Sequence, residues 1–503
     1  MLSVFAPTKY HAFITETIQR EDRLDELVRI VDYLEERPVA SAHSILIKQD
    51  AIYPLLDWYN LEPPYLLPEE EELTAETLLG FIFAKLGNYE KTYEYLAQPH
   101  SGFYRELDII NRLQQGISVA SSDLAAAYTP FDEYRIMHNQ AVVHHYVERL
   151  DQEQINKAKY YYLEALQSAP SDEYRAFTAR HFAVLLTDTG ETADATRVLE
   201  AMLNGEVSEE AKAELNYTLC QNWLQELQVP YDLERLEQLK TKLWRVLETY
   251  QKQDRPIAQA LVLTDAGIIA NYSESWSESM GYFNQAIKLF EENEQEELAA
   301  NVHYRKGTLL YTWAKNGNGQ FYRSAAESYQ QAARTFTRQH APEVYAEIQH
   351  HLGIIYSEIP DEVQKKSIWA AVSSSAFQEA LSIYTVEAYP YAYASVCNHY
   401  GNALMKYPAA RLSDNYEKAI YYYQEALRIR TAEQFPLERC LTLLNYLEAQ
   451  WFMGMPEDRF ESDRYEDMVQ KAQEVLSLSD NPELQSTAKE HLEKLQQLKA
   501  LYV

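Results

Sequence analysis

Residues 414–436 read DNYEKAIYYYQEALRIRTAEQFP and place Ala419, Tyr423 and Ala426 at i, i+4 and i+7, on one face of a helix. The same Ala-x3-Tyr-x2-Ala pattern returns as Ala325, Tyr329, Ala332, and in altered form as Ser279, Phe283, Ala286 and Ser373, Phe377, Ala380. The closing alanines, at 286, 332, 380 and 426, are 46, 48 and 46 residues apart. Gly307, Gly353 and Gly401 each fall 21 residues after one of these alanines, and Pro342, Pro390 and Pro436 each fall ten after one. Proline cannot continue a helix interior, so it marks the loop where one unit ends and the next begins. Three landmarks locked to one period describe an internal repeat.

Each unit reads as a helical hairpin. Small residues let two helices approach, and an aromatic one turn away fills the space beside them; such a hairpin cannot bury its apolar face alone and must stack on neighbours. Composition agrees. With 503 residues the chain exceeds what one compact core sustains, and its 14 Gly and 18 Pro are few for a many-stranded protein. The expectation is an all-α protein, an α-solenoid or superhelix of stacked antiparallel hairpins.

The order Leu-Gly, a large residue three later, then Ala, Tyr, Ala at fixed offsets resembles the tetratricopeptide repeat (TPR). ETLLGFIFAKLGNYEKTYEYLAQP (76–99) carries Leu79, Gly80, Phe83, Gly87, Tyr89 and Leu96 in the expected places, with Thr92 where the family has alanine. INKAKYYYLEALQSAP (155–170) supplies Ala158, Tyr162, Ala165 and Pro170, and LTDTGETADATRVLEAML (186–203) supplies Ala195, Leu199 and Met202. From about 257 onward the units exceed the family's usual length and resemble extended arrays found in bacterial signalling and defence proteins. The expected organisation is an N-terminal helical cap or docking segment at 1–71, near-standard repeats at 72–256 with 205–256 degenerate, extended repeats at 257–475, and a C-terminal capping helix at 476–503. Within the first part, LDELVRIVDYLEE (24–36) and AHSILIKQDAIYPLLDWY (42–59) have helical apolar spacing, and Thr74 is placed to cap the next helix.

The resemblance implies that the first helix of each unit lines a concave groove. Counting each glycine as position eight, positions two, five, nine and twelve face that groove. They are Asn301, Tyr304, Thr308 and Tyr311 around Gly307; Glu347, His350 and Ile354 around Gly353; and Ser395, Asn398, Asn402 and Met405 around Gly401. Such a mixture suits an extended or helical peptide, with side-chain amides bonding its backbone. Lysines used elsewhere in the family to clamp a terminal carboxylate are missing from these positions.

A formal net charge of −31 repels phosphate backbones and anionic lipid, so direct nucleic-acid contact and membrane binding are not expected. The locally basic stretch 239–256 reads as a solvated helix face. The three cysteines, Cys220, Cys397 and Cys440, are too scattered for a disulfide framework or zinc site and fit a reducing compartment. No run of about 18 apolar residues and no signal-peptide pattern is present, so a cytoplasmic location is expected.

Phosphate-loop, dinucleotide, zinc-protease and hydrolase signatures are also missing. KNGNGQ (315–320) reads as the loop inside one hairpin, and the acidic run Glu69 to Glu72 as a solvated linker. Adjacent histidines, His144–His145 and His350–His351, diverge by about 100° on a helix and cannot readily share an ion. Cys397 and His399, two apart on a helix, point away from each other and have no orienting third group. The expectation is therefore a scaffold or adaptor with no catalytic residue, cofactor or metal, binding a protein or peptide partner. The alternative is a regulatory receptor for a small peptide or metabolite. Tyr421 and Tyr422 have no packing role in the repeat pattern.

Overall fold

The computed structural model describes residues 2–33, 44–58, 63–96, 102–120, 124, 129–408, 414–454 and 460–502. The chain divides into two compact units, Met1–Asp254 and Arg255–Val503.

The first unit opens with a sheet, not with the expected helices. Strands β1 (Leu2–Ala6), β2 (Val28–Asp32), β3 (Ser44–Lys48), β4 (Ala51–Tyr53) and β5 (Glu71–Glu72) lie in the order β2-β1-β3-β4-β5. Helix α1 (His11–Ile18) connects β1 to its parallel neighbour β2, and β3 is also parallel to β1. All five residues of β1 are buried, as a strand covered on both faces requires. The helical reading of 24–36 and 42–59 is thus corrected wherever those stretches are described, residues 34–36, 42–43 and 59 lying outside. The β-branched Val28, Ile30 and Val31, and Ile45, Ile47 and Ile52, favour the pleated surface, and apolar runs this short fit helix and strand spacing equally well. Gln49 and Asp50, both with positive φ, make the two-residue turn that folds β4 back on β3. That turn type usually shows itself as Asn-Gly or Asp-Gly.

The sheet shares its apolar core with the first helical hairpin. Leu2, Val4, Ile14, Ile45, Ile47 and Ile52 pack in one cluster with Leu78, Leu79, Phe81 and Ile82 of α2 (Ala75–Lys85), Leu96 of α3 (Tyr89–Leu96) and Leu107 of α4 (Gly102–Gln114). Thr74 caps α2, its hydroxyl accepting from Thr77 N at 3.1 Å. Three hairpins follow: α5 (Pro130–His145) with α6 (Gln152–Ser168), α7 (Asp172–Asp188) with α8 (Thr192–Leu203), and α9 (Glu209–Glu226) with α10 (Leu233–Lys252). Residues 63–68 cross α5, where Asn139 exchanges two 2.8 Å hydrogen bonds with the backbone of Leu66. Beneath them Arg135 pairs with Glu106 at 2.9 Å, both buried.

The second unit is helical throughout its described residues. Its hairpins are α11 (Pro256–Tyr272) with α12 (Trp276–Glu292), α13 (Glu296–Lys315) with α14 (Phe321–Thr335), α15 (Pro342–Glu358) with α16 (Val363–Leu381), and α17 (Pro390–Leu404) with α18 (Asn415–Ile429). Then come α19 (Pro436–Met453), α20 (Ser462–Leu478) and α21 (Pro482–Tyr502), the last packing on both α19 and α20. The prolines sit in the first turn of α15, α17 and α19, where a missing N–H costs nothing. The glycine and aromatic landmarks meet. A Cβ on Gly307, Gly353 or Gly401 would lie within 3.0 Å of the ring of Tyr329, Phe377 or Tyr423, so hydrogen at each glycine lets the second helix bring its aromatic into the first. All three rings are buried.

Candidate functional site

Of the eleven residues expected on the first-helix face, ten lie on α13, α15 and α17 of the second unit, and Met405 directly follows α17. Asn301 is exposed, His350 and Asn398 are buried, and the other eight are partly buried. Most of their polar atoms engage the protein itself. Thr308 Oγ1 and Tyr329 Oη are 2.8 Å apart, and Tyr423 Oη donates to Asn402 Oδ1 at 2.7 Å. Ser395 Oγ accepts from Arg430 Nη2 at 3.3 Å.

Position five of each first helix reaches position six of the next. Tyr304 Oη lies 3.3 Å from His351 Nε2, His350 Nε2 lies 2.8 Å from His399 Nδ1, and Asn445 Nδ2 donates to Asn398 Oδ1 at 3.3 Å. These pairs are 47, 49 and 47 residues apart, so they form one polar ladder from α13 to α19 that follows the repeat period. Ring contacts reinforce it: His351 stacks on Tyr329 at 5.1 Å and His350 lies 5.0 Å from His399.

Glu347 lies beside the ladder, its oxygens 3.2 Å from His351 Nε2 and 4.0 Å from His350 Nδ1, and it accepts from Tyr384 Oη at 3.4 Å. Hydrogen bonding to His350 and His351 holds its carboxyl well below the usual carboxylate range. Burial lowers the pKa of His350 and brings His399 down to about 3, so both rings are held neutral. Within that pair one ring then donates its N–H and the other accepts. Burial also pushes the Tyr304 phenol up to about 12.

Cys397 is buried, and that burial pushes its thiol up to about 12, the opposite of what a nucleophile needs. Among the described residues no three His, Cys, Asp or Glu side chains are grouped to hold a metal ion, and no helix is long and apolar enough to cross a membrane. Tyr422 packs on Tyr400 at 4.4 Å within its own hairpin, whereas Tyr421 is 55% exposed and lies 5.2 Å from Tyr422 in a T-shaped pair.

Position numbering borrowed from the resemblance selected one residue of each rung and missed the other: His351, His399 and Asn445. Adding 47 to 49 residues to each position five would have found them. Tyr384 and Arg430 come from second-helix ends, which that numbering does not cover.

This arrangement is a TPR-type helical solenoid. No protein-family model matches the chain, and no curated protein is significantly similar to it. Among solved structures it is similar to a Signal Transduction ATPase with Numerous Domains (STAND) protein with a tetratricopeptide repeat sensor, from Pyrococcus horikoshii. The TM-score is 0.52 and the identity 14%, over 82% of this chain and 61% of that one. This chain therefore spans less than two thirds of that protein's length. A tetratricopeptide repeat protein from Parabacteroides merdae matches 63% of this chain and 99% of its own, at 11% identity and a TM-score of 0.39. A Rap protein complexed with Competence and Sporulation Factor matches 72% of this chain and 88% of its own, at 15% identity and a TM-score of 0.36. What this chain shares with the P. horikoshii protein is the fold.

Proposed function

We propose that the chain is a non-catalytic scaffold or adaptor that holds a segment of a partner protein on the first-helix face of its second unit. The observation that supports this reading is the ladder. It fixes the side chains of four successive first helices at a constant spacing, while Asn301, Tyr311, Glu347, Ile354 and Asn402 keep part of their surface open on those helices. A peptide laid across them would meet preorganised amides, a carboxylate and aromatic edges, and little side-chain entropy would be lost on binding. The P. horikoshii neighbour's repeats are described as a sensor in a signalling ATPase. We extend that by analogy to a multi-component bacterial signalling or defence system.

A photo-crosslinking residue at Ile354 or Asn301 tests the reading, with the exposed Lys288 of α12 as control. The native complex should give partner crosslinks from 354 and 301 and none from 288. Crosslinks from 288 alone would move the partner to another face. A rise in melting temperature with a small peptide or metabolite, together with no partner crosslink from 354 or 301, would favour a small-ligand receptor instead.

A further inference from the structure

Side chains of α12, α13 and α14 line a cleft of about 300 Å³, and none of the positions proposed to hold a partner is among them. The repeat register explains why the cleft is open. Lys306 and Ser328 stand one residue before Gly307 and Tyr329, as Tyr400 and Tyr422 stand one before Gly401 and Tyr423. In the α17–α18 hairpin those two rings pack on each other at 4.4 Å, and in α15–α16 the matching Leu352 and Ala376 are both buried. The α13–α14 hairpin has a lysine and a small hydroxyl there instead, and both line the cleft.

The cleft carries one side chain of each charge. Lys306 Nζ donates to Asn284 Oδ1 at 2.8 Å, which uses one of its three N–H donors. Glu327, also in the lining, has no hydrogen bond or ion pair among the described residues. Burial lowers the pKa of Lys306, and the Glu327 carboxylate opposes that through space. The two charges are thus neighbours that form no ion pair. The lining also includes Met280, Leu310 and Phe321, which belong to one apolar cluster.

We propose that this cleft binds a free α-amino acid with an apolar side chain. The ligand's carboxylate meets Lys306, its ammonium meets Glu327, and its side chain lies against Met280, Leu310 and Phe321. A zwitterion satisfies both charges at once, whereas a simple anion would face Glu327 and a simple cation would face Lys306. A volume of about 300 Å³ is at the low end for ligand pockets, which suits a ligand of that size. The site goes beyond the scaffold reading and does not depend on it.

Ligand-observed NMR titrations of the full chain with L-leucine, L-methionine and L-phenylalanine test this. At least one should bind with a Kd below about 1 mM. For the tightest of them, the analogue without the ammonium and the analogue without the carboxylate (isocaproate and isoamylamine in the case of leucine) should each bind more weakly by about tenfold or more. Lys306→Met and the exposed Glu327→Gln should weaken the amino acid by a similar factor. Lys306→Tyr with Ser328→Tyr, which installs the α17–α18 pair, should close the cleft and abolish binding in a chain that still melts cooperatively. If none of the three amino acids binds below about 1 mM, or if Lys306→Met and Glu327→Gln bind as wild type does, the proposal fails. An analogue of single charge that binds as tightly as its parent overturns the zwitterion assignment.

Discussion

Gly401→Ala adds a single methyl group, and the packing of Tyr423 sets its cost. The new Cβ would lie 2.5 Å from Tyr423 Cε1 and 2.8 Å from Cδ1 and Cζ, about 0.7–1.5 Å inside normal carbon contact. Tyr423 cannot easily swing away, because it is 1% exposed and its hydroxyl is tied to Asn402. Overpacking of this kind costs about 1–3 kcal/mol, offset by roughly 1 kcal/mol of improved helix propensity. Gly281, inside α12, separates the two effects: a Cβ there meets nothing within 4 Å, so Gly281→Ala should gain the propensity alone. The melting temperature of Gly401→Ala should therefore fall below that of Gly281→Ala by about 2–12 °C, at 2–4 °C per kcal/mol for a unit of this size. Thermal melts of the two variants beside wild type decide it. Equal stabilisation by both would mean that the repeat's glycine is not a gap for the aromatic, and the packing account of the hairpins would fail.

Acid should weaken the first unit through His138. Burial holds its imidazole at about 4 against an ordinary 6.5, so the unfolded chain takes up a proton below pH 6.5 that the folded chain refuses until about pH 4. Stability is flat above pH 6.5 and falls between those values by up to about 3 kcal/mol for this group, and urea melts at pH 7.0, 5.5 and 4.5 should show a shallower loss in His138→Gln. His181, buried with neither ring nitrogen hydrogen-bonded, adds to the same slope. Arg135→Met should cost about 3–5 kcal/mol by stranding the buried Glu106, and Arg135→Met with Glu106→Leu should recover most of it in denaturant melts. If the double variant is no more stable than the single one, the ion pair is not what stabilises that core. In the ladder, Asn445→Ala should weaken the α17–α19 contact by about 0.5–1.5 kcal/mol and raise hydrogen exchange in both helices, without change in α13.

The repeats of the second unit were readable because every landmark has a local physical cause that recurs. Proline opens the first helix, glycine yields to an aromatic, and two small residues flank that aromatic, so a single period exposes all of them. The N-terminal sheet has no period. Its strands are three to five residues long apart from the two-residue β5, and their pairing joins residues as distant as Ser3 and Ser44. The apolar spacing of VRIVD or SILIK does not separate a buried strand from a buried helical turn, and Gln49–Asp50 hides the hairpin that would have decided it. Parallel pairing is a tertiary choice: Leu2, Val4 and Ala6, on one face of β1, share a core with Ile14 and Ile18 of α1 and with Leu78, Leu79 and Ile82 of α2.

For the residues expected to line a groove, the hydrogen-bond partners could not be read from the sequence. Side chains at position five were expected to face a ligand with free hydrogen-bonding groups; instead they bond the next repeat, and this changes what the face can do. Asn398 and His350 spend polar atoms on holding α15, α17 and α19 in register, so a bound segment would contact a surface whose spacing is already set. In the proposed scaffold, recognition then depends on groups that the ladder leaves unmatched. Glu347 has histidines and tyrosines near its charge, and the hydrogen-bond acceptors of the Arg430 side chain are hydroxyls. A buried or half-buried charge without a full counter-charge is costly in isolation and gains most from a ligand that supplies one. Changing either residue should therefore alter which segment binds more than it alters the fold, whereas changing the ladder should do the reverse.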